Sequence, residues 1–322
     1  MPRVAVVYTG GTIGMRRTPE GVLPAASGAE LLGLVSRDSP IQDVRIVEWG
    51  SLPSMHLSFA DVFGIASTIR RELADAQTIG AVVVQGTDTI EETSFALDLL
   101  LDAPKPVVIT GAMRNLDDRD YDGAANIHDA IAAAASAELR DFGVVVAMHG
   151  VLHAADDALK VASSGVDAFA SPHSGRLGTV VDGNHVILDR RRGVRRHVAT
   201  DRAALPIPLV TAVLEGDGFE VRAALAAGAV GIVVAAASVG QTRPALLREC
   251  EAAMAGGVPV VLGSRCIAGM PEPIYGYAGG GIEWERSGAI LAGPLAPTKA
   301  RVALALGLGA NLDQKGLAAL FA

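Results

Sequence analysis

Arg3-Val-Ala-Val-Val-Tyr-Thr-Gly-Gly-Thr-Ile-Gly14 is the stretch whose reading decides the fold. An apolar, largely β-branched run meets two adjacent glycines. Such a run is the pattern of a strand buried on both faces, and the glycines give a tight turn at its carboxyl end. Similar runs occupy Val44 to Trp49, Ala81 to Gln85, Pro106 to Thr110 and Gly143 to Met148. Helical patterns lie between them, over Phe59 to Ala74, Ile90 to Leu101 and Ile127 to Ala137. Strand and helix alternating in this way predict an α/β domain with a mostly parallel sheet and right-handed crossovers.

Farther along, Asp182-Gly-Asn184 separates two short apolar stretches, so Gly178 to Leu188 is expected to form a β-hairpin. The run Arg190-Arg-Arg-Gly-Val-Arg-Arg196 follows, then a polar stretch reaching Pro206 and Pro208. A solvated edge and linker is the expected reading of the arginines, with an anion patch as the alternative. Beyond them, Gly231 to Ala237 and Val258 to Gly263 read as buried parallel strands. Helical patterns cover Leu246 to Ala255 and the neighbourhood of Lys299 to Leu306. The expected organisation is a larger N-terminal α/β domain over residues 1–190, a linker over 191–208 and a smaller parallel-sheet α/β domain over 209–322.

Composition narrows the function. The chain has 322 residues, half of them hydrophobic, with 27 basic and 35 acidic side chains. That apolar fraction excludes a disordered chain, and the acidic balance argues against a general nucleic-acid binder, which needs clustered Lys and Arg. Two cysteines, Cys250 and Cys266, cannot build a disulfide framework or a four-thiolate metal site. Cys266 is expected to be a packed thiol. The first apolar run is too short for a secretory signal, and no stretch approaches a membrane span, so a cytoplasmic protein is expected.

The polar residues that remain unexplained lie at the expected strand ends. Thr9-Gly10-Gly11-Thr12 resembles a dinucleotide fingerprint but has Thr9 where a glycine is required, and no P-loop lysine follows. Ligands of open α/β sheets bind at the carboxyl ends of the strands, which makes the Thr12 hydroxyl a candidate nucleophile; the plainer reading is a helix cap. Gln85-Gly-Thr-Asp-Thr89 ends the third strand. Thr89 and Glu92 have the spacing of a capping box, whereas Thr87 and Asp88 have no such structural reason. A threonine nucleophile needs a base. Among four lysines (Lys105, Lys160, Lys299, Lys315), Lys160 follows the Gly143 strand on an apolar stem and could relay a proton beside an aspartate. His149, His153, Asp156 and Asp157 have the side chains of a metal cluster, but they span a strand end and a loop, and no metal is expected.

Tyr8-Thr-Gly-Gly-Thr-Ile13, Val84-Gln-Gly-Thr-Asp-Thr-Ile-Glu-Glu-Thr93 and Ile109-Thr-Gly-Ala-Met-Arg114 resemble the signature motifs of bacterial-type L-asparaginases. Asp122-Gly-Ala-Ala-Asn126, the Lys160 segment and Leu295-Ala-Pro-Thr-Lys-Ala-Arg301 fit the same family in the same order. The resemblance implies that Thr12 attacks the side-chain amide and that Thr87, Asp88 and Lys160 form a second triad. It implies that Asp88 also holds the substrate's α-ammonium, that Ser54 grips the α-carboxylate beside Met55, and that backbone near Gly11, Thr87 and Ala112 lines the amide. It further implies an L-asparagine or L-glutamine substrate, no metal or cofactor, and a homodimer or homotetramer in which a second domain completes a neighbour's site.

The chain departs from the family pattern at particular positions. Met55 replaces a polar amide, and the second-domain asparagine falls near Val239. Glu283 lies near the position of an intersubunit glutamate. Met15 to Ala29 contains no tyrosine, where the family places one beside the nucleophile and this chain has Val22 or a neighbour. Another tyrosine, Tyr275 or Tyr277, is expected to supply that hydroxyl. These departures support the alternative of a catalytically weakened or inactive amino-acid-binding relative.

Overall fold

The computed structural model describes residues 1–35 and 43–322, and the chain divides into two compact units, Met1–His197 and Val198–Ala322. In the first unit β1 (Arg3–Tyr8) leads into a hairpin of β2 (Met15–Thr18) and β3 (Gly21–Pro24), followed by α1 (Gly28–Leu32) and β4 (Asp43–Glu48). Next come α2 (Phe59–Ala74), β5 (Thr78–Val84), α3 (Ile90–Leu100), β6 (Val107–Thr110) and α4 (Gly123–Ala135). The unit continues through β7 (Val144–Met148), β8 (Val151–Ala154), β9 (Leu159–Lys160), β10 (Phe169–Ala170), β11 (Gly178–Val181) and β12 (His185–Leu188).

Eight of these strands form one sheet in the order β12-β11-β8-β7-β6-β5-β1-β4. Strands β4, β1, β5, β6 and β7 run parallel, and β8, β11 and β12 extend the sheet antiparallel. Alternate residues Val4, Val6, Val82, Val84 and Val108 join one core cluster with Ile127, Ala130 and Ile131 of α4. Ala5, Val7 and Val83, which point the other way, are also buried. Burial on both faces is why these strands read as continuous apolar runs. The β11–β12 hairpin falls where expected, with Val181 opposite His185. The β7–β8 hairpin was not expected. Its two-residue turn, His149-Gly150, has positive φ at both positions, 50° and 73°, the geometry that matches strand twist.

The second unit contains β13 (Leu209–Thr211), α5 (Phe219–Ala226), β14 (Ile232–Ala236), α6 (Pro244–Ala255), β15 (Val260–Ser264) and α7 (Gly281–Arg286). It ends with β16 (Ile290–Leu291), α8 (Pro297–Gly309) and α9 (Gln314–Ala319). Its four strands are parallel in the order β13-β14-β15-β16 and cover a core holding Val234, Leu262, Cys250 and the fully buried Trp284. Two α/β units, the larger with a hairpin and the smaller with a parallel sheet, are the fold class expected from the sequence.

The arginine run departs from its expected solvated state. Arg192 turns inward, its side chain 4% exposed, and meets the 2%-exposed Asp98 of α3 through Nη2–Oδ2 at 2.6 Å and Nη1–Oδ1 at 2.9 Å. Arg195 Nε donates to the same carboxylate at 3.2 Å, and the Val144 amide donates to it at 2.9 Å. Four donors surround one buried carboxylate, which compensates for its removal from water and ties the end of the first unit to α3 and β7. Cutting one partner from a buried ion pair leaves the other charge uncompensated, at about 3–5 kcal/mol. Asp98→Ala is therefore expected to destabilise the first unit by that amount in urea unfolding; a loss under about 1 kcal/mol would show that the arginines find water instead.

Candidate active site

Strands β1 and β5 are parallel neighbours that end level, Tyr8 paired with Val84. In chain order β1 leads to β4 on one side, while β5 leads to β6 on the other. The loops after β1 and β5 therefore diverge, and adjacent strands with diverging loops open the crevice in which α/β proteins bind ligands. Thr12 leaves β1, and Thr87 and Asp88 leave β5, at this point.

Glycine lets the two loops touch. Gly10 and Gly11 have φ of 106° and 101°, in the region that side chains disfavour. A Cβ on Gly10 would sit 2.6 Å from the Leu52 amide nitrogen, and one on Gly11 would run into the Gly86 backbone. Thr9 adds a side-chain bond across the gap, Oγ1 donating to Val84 O at 3.0 Å. After the glycines, Thr12–Gly14 form a short 3-10 turn in which Gly11 takes the N-cap position without a side-chain bond. Thr12 thus opens the turn and does not cap it.

The second loop carries a three-residue contact. Lys160 Nζ donates to Thr87 Oγ1 at 2.9 Å and to Asp88 Oδ1 at 2.6 Å. Thr87 is 5% exposed, and the side chains of Lys160 and Asp88 are 15% and 61% exposed. A mostly buried ammonium therefore bridges a buried hydroxyl and an open carboxylate. The lysine is delivered by β9, which pairs with β10, and its amide donates to Glu91 Oε2 of α3 at 3.1 Å. A proton can pass between the Thr87 hydroxyl and Lys160 along this line, with Asp88 stabilising the charged amine.

The third loop, after β6, is set by Asp122 and Asn126. Asp122 stands at the N-cap of α4 yet makes no cap bond; its carboxylate accepts the Met113 and Arg114 amides at 3.1 and 3.0 Å. Asn126 Nδ2 donates to Asp122 Oδ2 at 3.0 Å and to Gly111 O at 2.9 Å. A Cβ on Gly111 would lie 2.5 Å from Gln85 O and 3.1 Å from Thr87 Cγ2, so this loop presses on the second. Ala112, buried between Gly111 and Met113, is held with it.

Of the other expected residues, Ser54 is buried with Oγ facing Gly86, whereas Met55 is 67% exposed. Thr89 departs from the capping box. It occupies the N-cap of α3 without a cap bond and turns its hydroxyl to Ser54 O at 3.0 Å, binding the Ser54 loop to the Thr87 loop. Three of the four candidate metal ligands have other partners: Asp157 accepts the His173 and Ser174 amides, His153 Nδ1 meets Ser171 Oγ at 2.8 Å, and Asp156 pairs with Arg192. Cys266 is exposed and not packed, because the chain leaves β15 at Ser264 and turns outward. In the second unit Glu283 Oε2 accepts the Gly279 amide at 2.8 Å. Tyr275 and Tyr277 are exposed, their ring centroids 5.6 Å apart. The sequence alone gives Asp122, Asn126 and Glu91 no role; the Asp-x3-Asn spacing, one helical turn, is the signal that pairs the first two.

The chain is similar to known proteins over nearly its whole length. Residues 3–192 match the model of the N-terminal asparaginase domain, and residues 207–321 match that of the glutaminase/asparaginase C-terminal domain. An L-asparaginase of Bacillus licheniformis is 34% identical over 94% of both chains. A "Probable L-asparaginase" of Deinococcus radiodurans is 35% identical over 97% of this chain and 95% of that one. The crystal structure of a "Probable Cytoplasmic L-asparaginase" from Campylobacter jejuni superposes with a TM-score of 0.89 at 29% identity, covering 100% of this chain and 99% of that one. This chain belongs to the bacterial-type L-asparaginase family.

Substitution at the closest backbone approach tests the geometry. Gly11→Ala adds a Cβ against Gly86 at φ 101° and ψ 179°, a backbone region essentially confined to glycine that alone costs a side chain about 1–3 kcal/mol. It is expected to lower the melting temperature of the first unit by several degrees, checked by calorimetry. An unchanged melting temperature would mean that the two loops separate freely.

Proposed function

We propose that this protein hydrolyses the side-chain amide of L-asparagine to L-aspartate and ammonia through an acyl-enzyme on Thr12. The observation that carries the reading is the Lys160 ammonium within 2.9 Å of Thr87 Oγ1 and 2.6 Å of Asp88 Oδ1, on the loop whose backbone touches the Thr12 turn. Thr12 Oγ1 attacks the amide carbon, and the hydroxyl proton passes to the departing nitrogen, which leaves as ammonia. Water then attacks the ester and returns the proton to Thr12. Lys160 serves the proton transfers through Thr87, and Asp88 keeps its charge balanced.

In this reading the α-ammonium of the substrate lies against Asp88, whose exposed carboxylate is open to it, and the α-carboxylate meets Ser54. Backbone around Gly11, Thr87 and Ala112 faces the amide, where donors aimed at a developing oxyanion contribute most. L-Glutamine is the second candidate amide. A cytoplasmic homodimer or homotetramer is the proposed form, and among the described residues no helix is long and apolar enough to cross a membrane. The exposed Met55 and the absence of tyrosine from Met15 to Ala29 favour one alternative, an amino-acid-binding relative without turnover.

Ammonia release from purified protein with L-asparagine, L-glutamine and D-asparagine separates the two. Turnover is expected with L-asparagine, and Thr12→Ala, Thr87→Ala and Lys160→Met are each expected to lower kcat by on the order of a thousandfold or more. Binding of L-asparagine without ammonia release would establish the alternative.

A further inference from the structure

We propose that Tyr121 is a positioning residue for the nucleophile, its hydroxyl fixing the turn that presents Thr12. This rests on the reading of Thr12 given above. Tyr121 Oη donates to the carbonyl of Ile13, the residue after Thr12, at 2.7 Å across a sequence separation of 108. The bond completes a set. In the turn after the double glycine, Gly14 N donates to Gly11 O at 3.0 Å, and the Met15 amide donates to Thr12 O. The Gly14 carbonyl accepts the Ala25 and Ala26 amides at 2.9 Å. Ile13 O is the carbonyl left over by this backbone pattern, and Tyr121 satisfies it.

The support behind the phenol is rigid. The ring packs against the main core cluster, and Ile13 is fully buried. A Cβ on Gly123, the first residue of α4, would strike the Tyr121 ring and lie 2.6 Å from Ile13 Cγ1, so the three are in close contact. The next residue, Asp122, holds the Met113 and Arg114 amides. Two adjacent side chains at the start of one helix therefore anchor the nucleophile's turn and the Ala112 loop together. The segment before them braces the β2–β3 hairpin, through Leu116 N to Met15 O at 3.0 Å and the Arg16–Asp117 and Arg17–Asp118 pairs at 2.7 and 2.6 Å.

Burial pushes the Tyr121 phenol well above its ordinary pKa, and Asp122 and Tyr8 add to the shift. The group stays a protonated donor over the range in which an enzyme of this kind is assayed. It holds a carbonyl and takes no part in the proton transfers. Tyr121 thus places a tyrosine hydroxyl beside the nucleophile's turn from within the same unit, where Tyr275 or Tyr277 had been expected to supply one.

The test compares Tyr121→Phe with Lys105→Met and Thr12→Ala. Lys105 is the control: it precedes β6, at the strand ends opposite the site, and its Nζ likewise donates to loop carbonyls, Leu73 O at 2.7 Å and Asp75 O at 2.9 Å. With L-asparagine, Tyr121→Phe is expected to lower kcat between about ten- and a hundredfold, as for a misoriented reacting group. KM stays within about twofold, and the pH–rate profile keeps its shape. Lys105→Met, with a similar loss of melting temperature, keeps kcat within about twofold of the parent. An unchanged kcat in Tyr121→Phe, an equal loss of kcat in Lys105→Met, or a shifted pH profile would each overturn the assignment while leaving Thr12 intact as nucleophile. Activity surviving in Thr12→Ala would instead reject the nucleophile, and the positioning role with it.

Discussion

Everything at the site depends on the contact between two backbones at Gly11 and Gly86. The level register of Tyr8 with Val84 brings the ends of β1 and β5 to the same height, and the absence of a side chain on Gly11 lets the loops close on each other. A hydroxyl on one loop and a hydroxyl–carboxylate pair on the other are thereby held at one sheet edge. No side-chain interaction could substitute for this contact, because a single Cβ occupies the space that the second loop needs.

Around it the structure adds three anchors of different kinds. Lys160 is brought by a two-residue strand and joins Thr87 to Asp88. Asp122 and Asn126 fix the third loop through backbone amides and a carbonyl, and Tyr121 fixes the first. Lys160 and Tyr121 come from distant segments and Asp122 and Asn126 from the helix that follows their loop, and each ends on a loop backbone or on a polar side chain at the edge. A site of this kind is preorganised by its surroundings, which lets loop residues hold a geometry as fixed as that of a helix or strand.

The parts of the fold that repeat a simple pattern were legible in the sequence. β1, β5, β6 and β7 are apolar on both faces, and the hairpin at Asp182-Gly183 has turn residues at its tip. β8 was legible in principle, since His149-Gly150 between apolar runs marks a two-residue hairpin. β9 and β10 were not, because two residues carry no periodicity. Local signals also misled: Thr89 with Glu92 has the spacing of a capping box, yet the Thr89 hydroxyl bonds Ser54 O, 35 residues away. The arginine run reads as solvent-facing until Asp98, nearly a hundred residues earlier, is folded against it. Motif resemblance singled out Thr12, Thr87, Asp88 and Lys160, of which the last three meet in the structure, whereas the Tyr121–Ile13 bond spans 108 positions and leaves no trace in any window.

The central claim is that Thr12 becomes esterified by the substrate, and mass spectrometry of acid-quenched steady-state reactions with L-asparagine tests it most directly. After digestion, the peptide from Val4 to Arg16 is expected to gain the mass of one aspartyl group, located on Thr12. The same adduct on the peptide carrying Thr87, with Thr12 unmodified, would contradict it.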